Sequence, residues 1–298
     1  MTASVAAGLS GDSGWILTAA TLVVAGLLLA PGWIVGRSAR LAALPSLAVA
    51  PALSSAIIAA AEILAHTLAL PWLPWGWAVI AGLTAVVALM ARLLVGAPPE
   101  RARRAASQGR AEWVILAAGL TVAVAVPAGV ILSVLPGPGY PAQVFDATFH
   151  LNAVAAIREG GNASILGGLS ALYSGRAVYY PTVWHGAVAL APGSPAPVST
   201  AGVLALTAVV WPLSLLGLFA RAAGLDAARA SETDRVRHRQ RSCAVAVVLA
   251  LSAAVVGFPL LPMTALAVWP YALSVAGLPG VLVLYDLLRQ ETASWRLR

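Results

Sequence analysis

WVILAAGLTVAVAVPAGVILSVL, residues 113–135, carries no charged side chain. At 1.5 Å per residue it is long enough to cross the ~30 Å hydrocarbon core of a bilayer as one helix. Comparable apolar runs recur at 15–35, 41–70, 76–96, 197–220, 243–268 and 270–288, which predicts seven spans in all. A soluble fold could not bury them. Of the 298 residues 60% are hydrophobic and 10% charged, where soluble domains carry about a quarter charged. Lipid accepts such runs as helices because a helix satisfies its own backbone polar groups. The expected fold class is therefore an all-α, polytopic transmembrane helical bundle. Pro45 and Pro51 near the start of the second run, and Pro259 and Pro262 in the sixth, predict a bend or break in each.

The net charge of +7 comes from 18 basic residues, all of them arginine. They fall in short segments between apolar runs, where membrane orientation accounts for them and no nucleic acid is needed as a partner. With the N-terminus outside, every second connection is arginine-rich: Arg37 and Arg40, then Arg92, Arg101, Arg103, Arg104 and Arg110, then the arginines from Arg221 to Arg241, then Arg289, Arg296 and Arg298. Only Arg158 and Arg176 lie on the opposite side. The expectation is a plasma-membrane protein with its C-terminus in the cytoplasm. Trp72, Trp75, Trp77 and Trp269 fall where an aromatic belt belongs. The single cysteine, Cys243, excludes an internal disulfide and a cysteine-based metal site. No Lys or Arg precedes the first run, so that run reads as a retained span and not as a cleaved signal peptide. The chain divides into an N-terminal three-span region, 1–111, and a second membrane region, 112–298, which carries the extracytoplasmic loop 136–196.

Such a loop is far longer than a bundle connection needs to be. Its aromatic and aliphatic content argues for structure. VFDATFHLNAVAAIREGG, 144–161, follows the PGPG turn at 136–139 and ends on paired glycines, so it predicts a short helix. Asp146, Phe149, His150, Ala153 and Ile157 share one face of that helix, which would lie along the outer membrane surface. YYPTVWHGAVALAP, 179–192, predicts a second helix with Pro181 at its start and Trp184 and His185 in its first turn. Asp146 could serve as a general base, with His150 or His185 orienting it, stabilising a developing anion or helping to hold a divalent metal. The plainer alternative is that Asp146 caps the helix and the histidines hydrogen-bond at the interface. Glu62 and His66 sit one turn apart inside the second span, where ionisable groups are costly. They could line the same outward cavity, form a proton relay, or simply hold two helices together. Asn162-Ala163-Ser164 matches the N-glycosylation pattern, which is common by chance. No Walker, Rossmann, HExxH or CxxC signal occurs.

Phe145-Asp146-Ala147-Thr148-Phe149-His150-Leu151-Asn152, followed by Gly161-Asn162-Ala163-Ser164 and Tyr180-Pro181-Thr182-Val183-Trp184-His185, resembles a group of actinobacterial polytopic membrane proteins. These in turn resemble the GT-C superfamily of glycosyltransferases. The resemblance covers roughly residues 137–192. It implies cell-envelope glycan assembly on the outer face, with a polyprenyl-phosphate sugar or related lipid-linked saccharide as donor and a glycan or lipid as acceptor. The catalytic base would be Asp146, with His150 and His185 beside it. The candidate substrate-binding groups are Arg158, Arg176, Tyr180, Trp184, Glu62 and His66; the first two would meet the leaving phosphate. A Mg or Mn ion on Asp146 and His150 is the other source of positive charge. GT-C enzymes usually place the acidic loop after the first span and have a larger bundle, whereas here three additional spans come first and the usual core would begin at about Glu112; a fragment, a shortened paralogue and a subunit are all readings of that. The second acid common in those families has its nearest counterpart in Glu159, on another helix face. A transporter or lipid-carrier flippase component, and a non-catalytic membrane scaffold, are the alternative functions.

Overall fold

The computed structural model describes residues 11–95, 109–137, 139–140, 144–226 and 232–295. Arg101, Arg103, Arg104, Arg229, Arg296, Arg298 and Pro138 of the PGPG turn lie outside them. Six helical segments are long and apolar enough to cross a membrane. They are α1 (Gly11–Ser38), α2 (Ala43–Thr67), α3 (Trp72–Val95), α4 (Arg110–Val134), the continuous segment Pro195–Ala222, and α11 (Trp269–Trp295). The fifth joins α7 (Pro195–Leu204) to α8 (Trp211–Ala222) through a π-helical turn, Ala205–Val210. A bent pair passes the same test only when taken together, and makes a seventh span if counted as one: α9 (Glu232–Ser252) bends by 50° into Val256–Met263, whose last turn is α10 (Leu261–Met263). No strand occurs among the described residues. The chain is thus a membrane-embedded helical bundle.

The two prolines pairs act differently. Pro259 and Pro262 accompany the break in the sixth apolar run, 243–268, as expected. Pro45 stands in the first turn of α2, where a missing N–H costs nothing, and α2 continues through Pro51 without interruption.

α2 is the hub. Its run of Ala and Ser lets neighbours approach to backbone distance, which is how helices associate where lipid removes the hydrophobic drive. A Cβ added at Gly32 of α1 would lie 2.2 Å from the Ala50 carbonyl oxygen. One at Gly217 of α8 would lie 2.4 Å from the Ala48 nitrogen, and one at Gly280 of α11 2.7 Å from the Ala48 oxygen. The Gly32 N–H also donates to Ser54 Oγ, 2.9 Å away. The region 1–111 is therefore packed into the rest of the bundle through α2.

One end of the bundle carries arginine. There Arg221 grips Asp226 at 2.6 Å and Asp286 at 2.8 Å, tying α8 to α11. The other end, the loop end, carries α5 (Phe145–Gly160), a 3-10 turn (Ser170–Tyr173) and α6 (Val183–Ala189). α5 stops at Gly161, whose left-handed φ of +67° suits glycine. Asn162 Oδ1 then accepts the Ser164 N–H at 2.8 Å, so the glycosylation-like triplet is used as a turn. α6 is buried along Trp184 to Ala189 and plugs the bundle between α1, α2, α5, α7 and α11.

Candidate functional site at the loop end

α5 and α6 meet through their histidines. His150, on the buried face of α5, and His185, in the first turn of α6, are hydrogen-bonded Nδ1 to Nε2 at 2.8 Å, both almost wholly buried. The pair is wrapped in rings. Trp269 lies 5.0 Å from His150 and 4.6 Å from Trp184, and Tyr180 lies 5.8 Å from His185. Phe149 bridges to Tyr180 at 5.1 Å and to Tyr173 at 6.4 Å.

Burial dominates the chemistry of the pair. It lowers the pKa of His150 to about 4, against the opposing pull of the Asp146 charge and the Ala267 carbonyl. It lowers that of His185 to about 3, helped by His150 and opposed by the carbonyls of Pro181 and Thr182. Both imidazoles are neutral near pH 7. One ring nitrogen donates to the other. Burial also raises the Tyr180 phenol, with Tyr173 and Asp146 adding to the effect.

A polar thread runs from this pair into the membrane span. Thr182 Oγ1 donates to Glu62 Oε2 at 2.9 Å, and Glu62 is 2% exposed. The Trp72 indole N–H donates to the Gly186 carbonyl at 2.9 Å. Glu62 Oε1, His185 Nδ1 and Trp184 Nε1 are buried without a hydrogen bond of good geometry. Three such atoms in one neighbourhood mark a polar locus inside an apolar bundle, since buried polar groups are nearly always paired.

Beside the locus opens an apolar cleft of about 580 Å³. Ile131 of α4, Leu135 just after it, Tyr140, Val203 of α7, Met263 and Trp269 line it, together with Val144 just before α5. Its polar contributions, Thr200 and Thr264, spend their hydroxyls on carbonyls four residues back. Trp269 is the partition: one side lines the cleft, and the indole also contacts His150 and Trp184.

Asp146 lies in the first turn of α5, two residues after Val144, and its side chain is exposed. The N-cap is Val144, Asp146 lies off the buried face of Ala147, His150, Ala153 and Ile157 that it was expected to share, and its charge acts on His150 and Tyr180. Arg158 is drawn into the backbone instead of toward the cleft. Its Nε donates to the Ala189 carbonyl at 3.0 Å, and its terminal nitrogens to Ala191 and Gly193. A guanidinium spread over the carbonyls that end α6 is structural. Arg176 and Glu159 are exposed. The expected Glu62–His66 pair does not form: His66 is exposed, and the Glu62 hydrogen bond goes to Thr182. Trp72 and Trp269 leave the expected aromatic belt, each being 1% exposed, while Trp75 and Trp77 remain at the surface. Thr182, Trp72 and Trp269 are the site residues that sequence reasoning did not identify as such. Thr182 stood inside the Tyr180–His185 motif, and that was its only signal.

A metal on Asp146 and His150 is not supported by the donor set. The His150 Nδ1 is taken by His185, and among the described residues no three His, Cys, Asp or Glu side chains converge.

Neither a curated protein nor a solved structure is matched by the chain. Residues 25–298, nearly the whole bundle including every element of the site, match one family model, and the chain belongs to that family of unknown function, DUF6541.

Proposed function

We propose that the chain is a GT-C-like glycosyltransferase, or a catalytically degenerate relative, that draws a lipid-linked sugar into the cleft at the loop end. The observation that carries this reading is the cleft itself: its apolar wall suits an isoprenoid chain, and Trp269, which lines it, also packs against His150 of the polar locus. The loop end then faces the extracytoplasmic side, the arginine end the cytoplasm, and the N-terminus lies outside, in accord with the positive-inside pattern.

In the reaction, an acceptor hydroxyl on a glycan or lipid loses its proton to the Asp146 carboxylate. Its oxygen attacks the anomeric carbon, and the bond from that carbon to the donor phosphate oxygen breaks. The electron pair departs with the lipid phosphate. Asp146 is exposed on α5, two residues after the cleft-lining Val144, so an acceptor and water can both reach it. With Arg158 committed to carbonyls, Arg176 is the arginine of this loop left to meet the phosphate. The neutral histidine pair fixes α5 against α6, so it positions Asp146.

The test is Asp146→Asn in proteoliposomes supplied with a polyprenyl-phosphate sugar. General-base catalysis contributes about 10²–10⁴-fold, so transfer should fall by at least ~100-fold with expression and insertion unchanged. Full transfer by that variant would remove Asp146 as base. The transport alternative draws on Glu62, His66 and the proline-interrupted spans; Glu62 is bonded to Thr182 and His66 is exposed, while the break near Pro259 and Pro262 is present.

A further inference from the structure

The arginine end holds a second site, unrelated to the cleft. Arg37 at the end of α1, Arg40 in the connection after it and Arg92 in the last turns of α3 line one cavity of about 380 Å³ with Trp33, Ile34 and Ser38. No acidic side chain lines it among the described residues. Three guanidinium groups with no carboxylate between them form an anion site by charge alone. Arg37 gives one terminal nitrogen to the Leu41 carbonyl, which anchors the connection that presents Arg40.

The cavity does not end in the headgroup layer. Ile34 is shared with an apolar groove of about 510 Å³ between α1 and α3, which runs along α1 from Leu22 to Ile34 and along α3 from Trp77 to Ala85. Twelve residues of helix rise ~18 Å, close to the ~15 Å of one leaflet. Gly26 lies on the groove, and an added Cβ there would touch nothing within 4 Å. The groove is therefore open at the depth an acyl chain occupies.

We infer that this is a binding site for one anionic phospholipid, its phosphate among Arg37, Arg40 and Arg92 and one acyl chain along α1 between Leu22 and Ile34. Basic pockets between spans next to the membrane surface are how proteins hold anionic headgroups. Charge complementarity selects the head, and the matched groove length selects a lipid over a soluble phosphate.

Native mass spectrometry of the full chain, released from detergent with added phosphatidylglycerol or phosphatidylcholine, reads the site. One phosphatidylglycerol should be retained and phosphatidylcholine lost. At about fivefold in affinity per arginine at a membrane surface, Arg40→Gln with Arg92→Gln should weaken retention by about 25-fold. Gly26→Leu, which fills the groove and leaves all three arginines, should weaken it as well. Thermal unfolding without lipid checks that both variants fold. Equal retention of the two lipids would overturn the site. Retention unchanged in the arginine variant would overturn the headgroup assignment. Retention unchanged in Gly26→Leu, or competition by free inorganic phosphate, would overturn the acyl-chain assignment.

Discussion

Gly186→Ala is the substitution that interrogates the join between loop and bundle most sharply. The added methyl would lie 2.0 Å from Glu62 Oε1 and 3.3 Å from the Ala163 Cβ. Glu62 is buried, so it cannot swing into solvent, and moving it breaks the Thr182 hydrogen bond. Overpacking costs about 1–3 kcal/mol and the lost hydrogen bond about 1 kcal/mol, a destabilisation of about 2–4 kcal/mol together. Denaturation in mixed detergent micelles, followed by tryptophan fluorescence, measures it. Glu62→Ala supplies the control, since it removes the atom the methyl would strike. In that background Gly186→Ala should cost less than about 1 kcal/mol, giving a strong coupling in the double-mutant cycle. Equal cost in both backgrounds would refute the claim that Glu62 packs under α6.

Acid should loosen the loop end. His150 and His185 titrate at about 4 and about 3 in the fold against 6.5 unfolded. Their contribution is complete above pH 6.5 and declines as pH falls toward about 4 for His150 and about 3 for His185, by up to about 1.4 kcal/mol per pH unit for each imidazole. The double variant His150→Gln, His185→Gln should flatten that slope in acid unfolding; an unaltered slope would contradict the burial of the pair. Arg158→Met should free the α6–α7 turn, seen as faster amide exchange at 189–194, while Arg158→Lys should rescue it only in part because lysine lacks the fork that spans three carbonyls. Gly217→Leu should prevent α8 from seating on α2 and cost more than about 3 kcal/mol, read from micelle denaturation, with Gly14→Leu as a neutral control because its position is open.

The bundle was legible because its signals are one-dimensional. A span announces itself by length and apolarity, the sixth showed its break through Pro259 and Pro262, and α5 showed its end through Gly160-Gly161. The same kind of signal brought His150 and His185 forward, from two motifs 35 positions apart, although nothing in spacing says that two rings will touch. The misreadings came from tertiary geometry. Glu62 and His66 are a helical turn apart, yet the boundary of burial passes between them, and the partner of Glu62 arrives from a segment 120 positions away. Trp72 looked like its neighbours Trp75 and Trp77, but Leu73 departs from helical geometry at φ −102° and ψ 119°, which separates Trp72 from the face that follows. Arg158 resembled a phosphate ligand because a sequence does not show which carbonyls a guanidinium will find.

The proposed function is tested most directly by a structure of the chain bound to a polyprenyl-phosphate sugar in a lipid nanodisc. The isoprenoid chain should run along Ile131, Val203 and Met263 with the sugar within hydrogen-bond reach of Asp146. Density for the lipid elsewhere, with Asp146 facing only bulk water in the bound state, would contradict it.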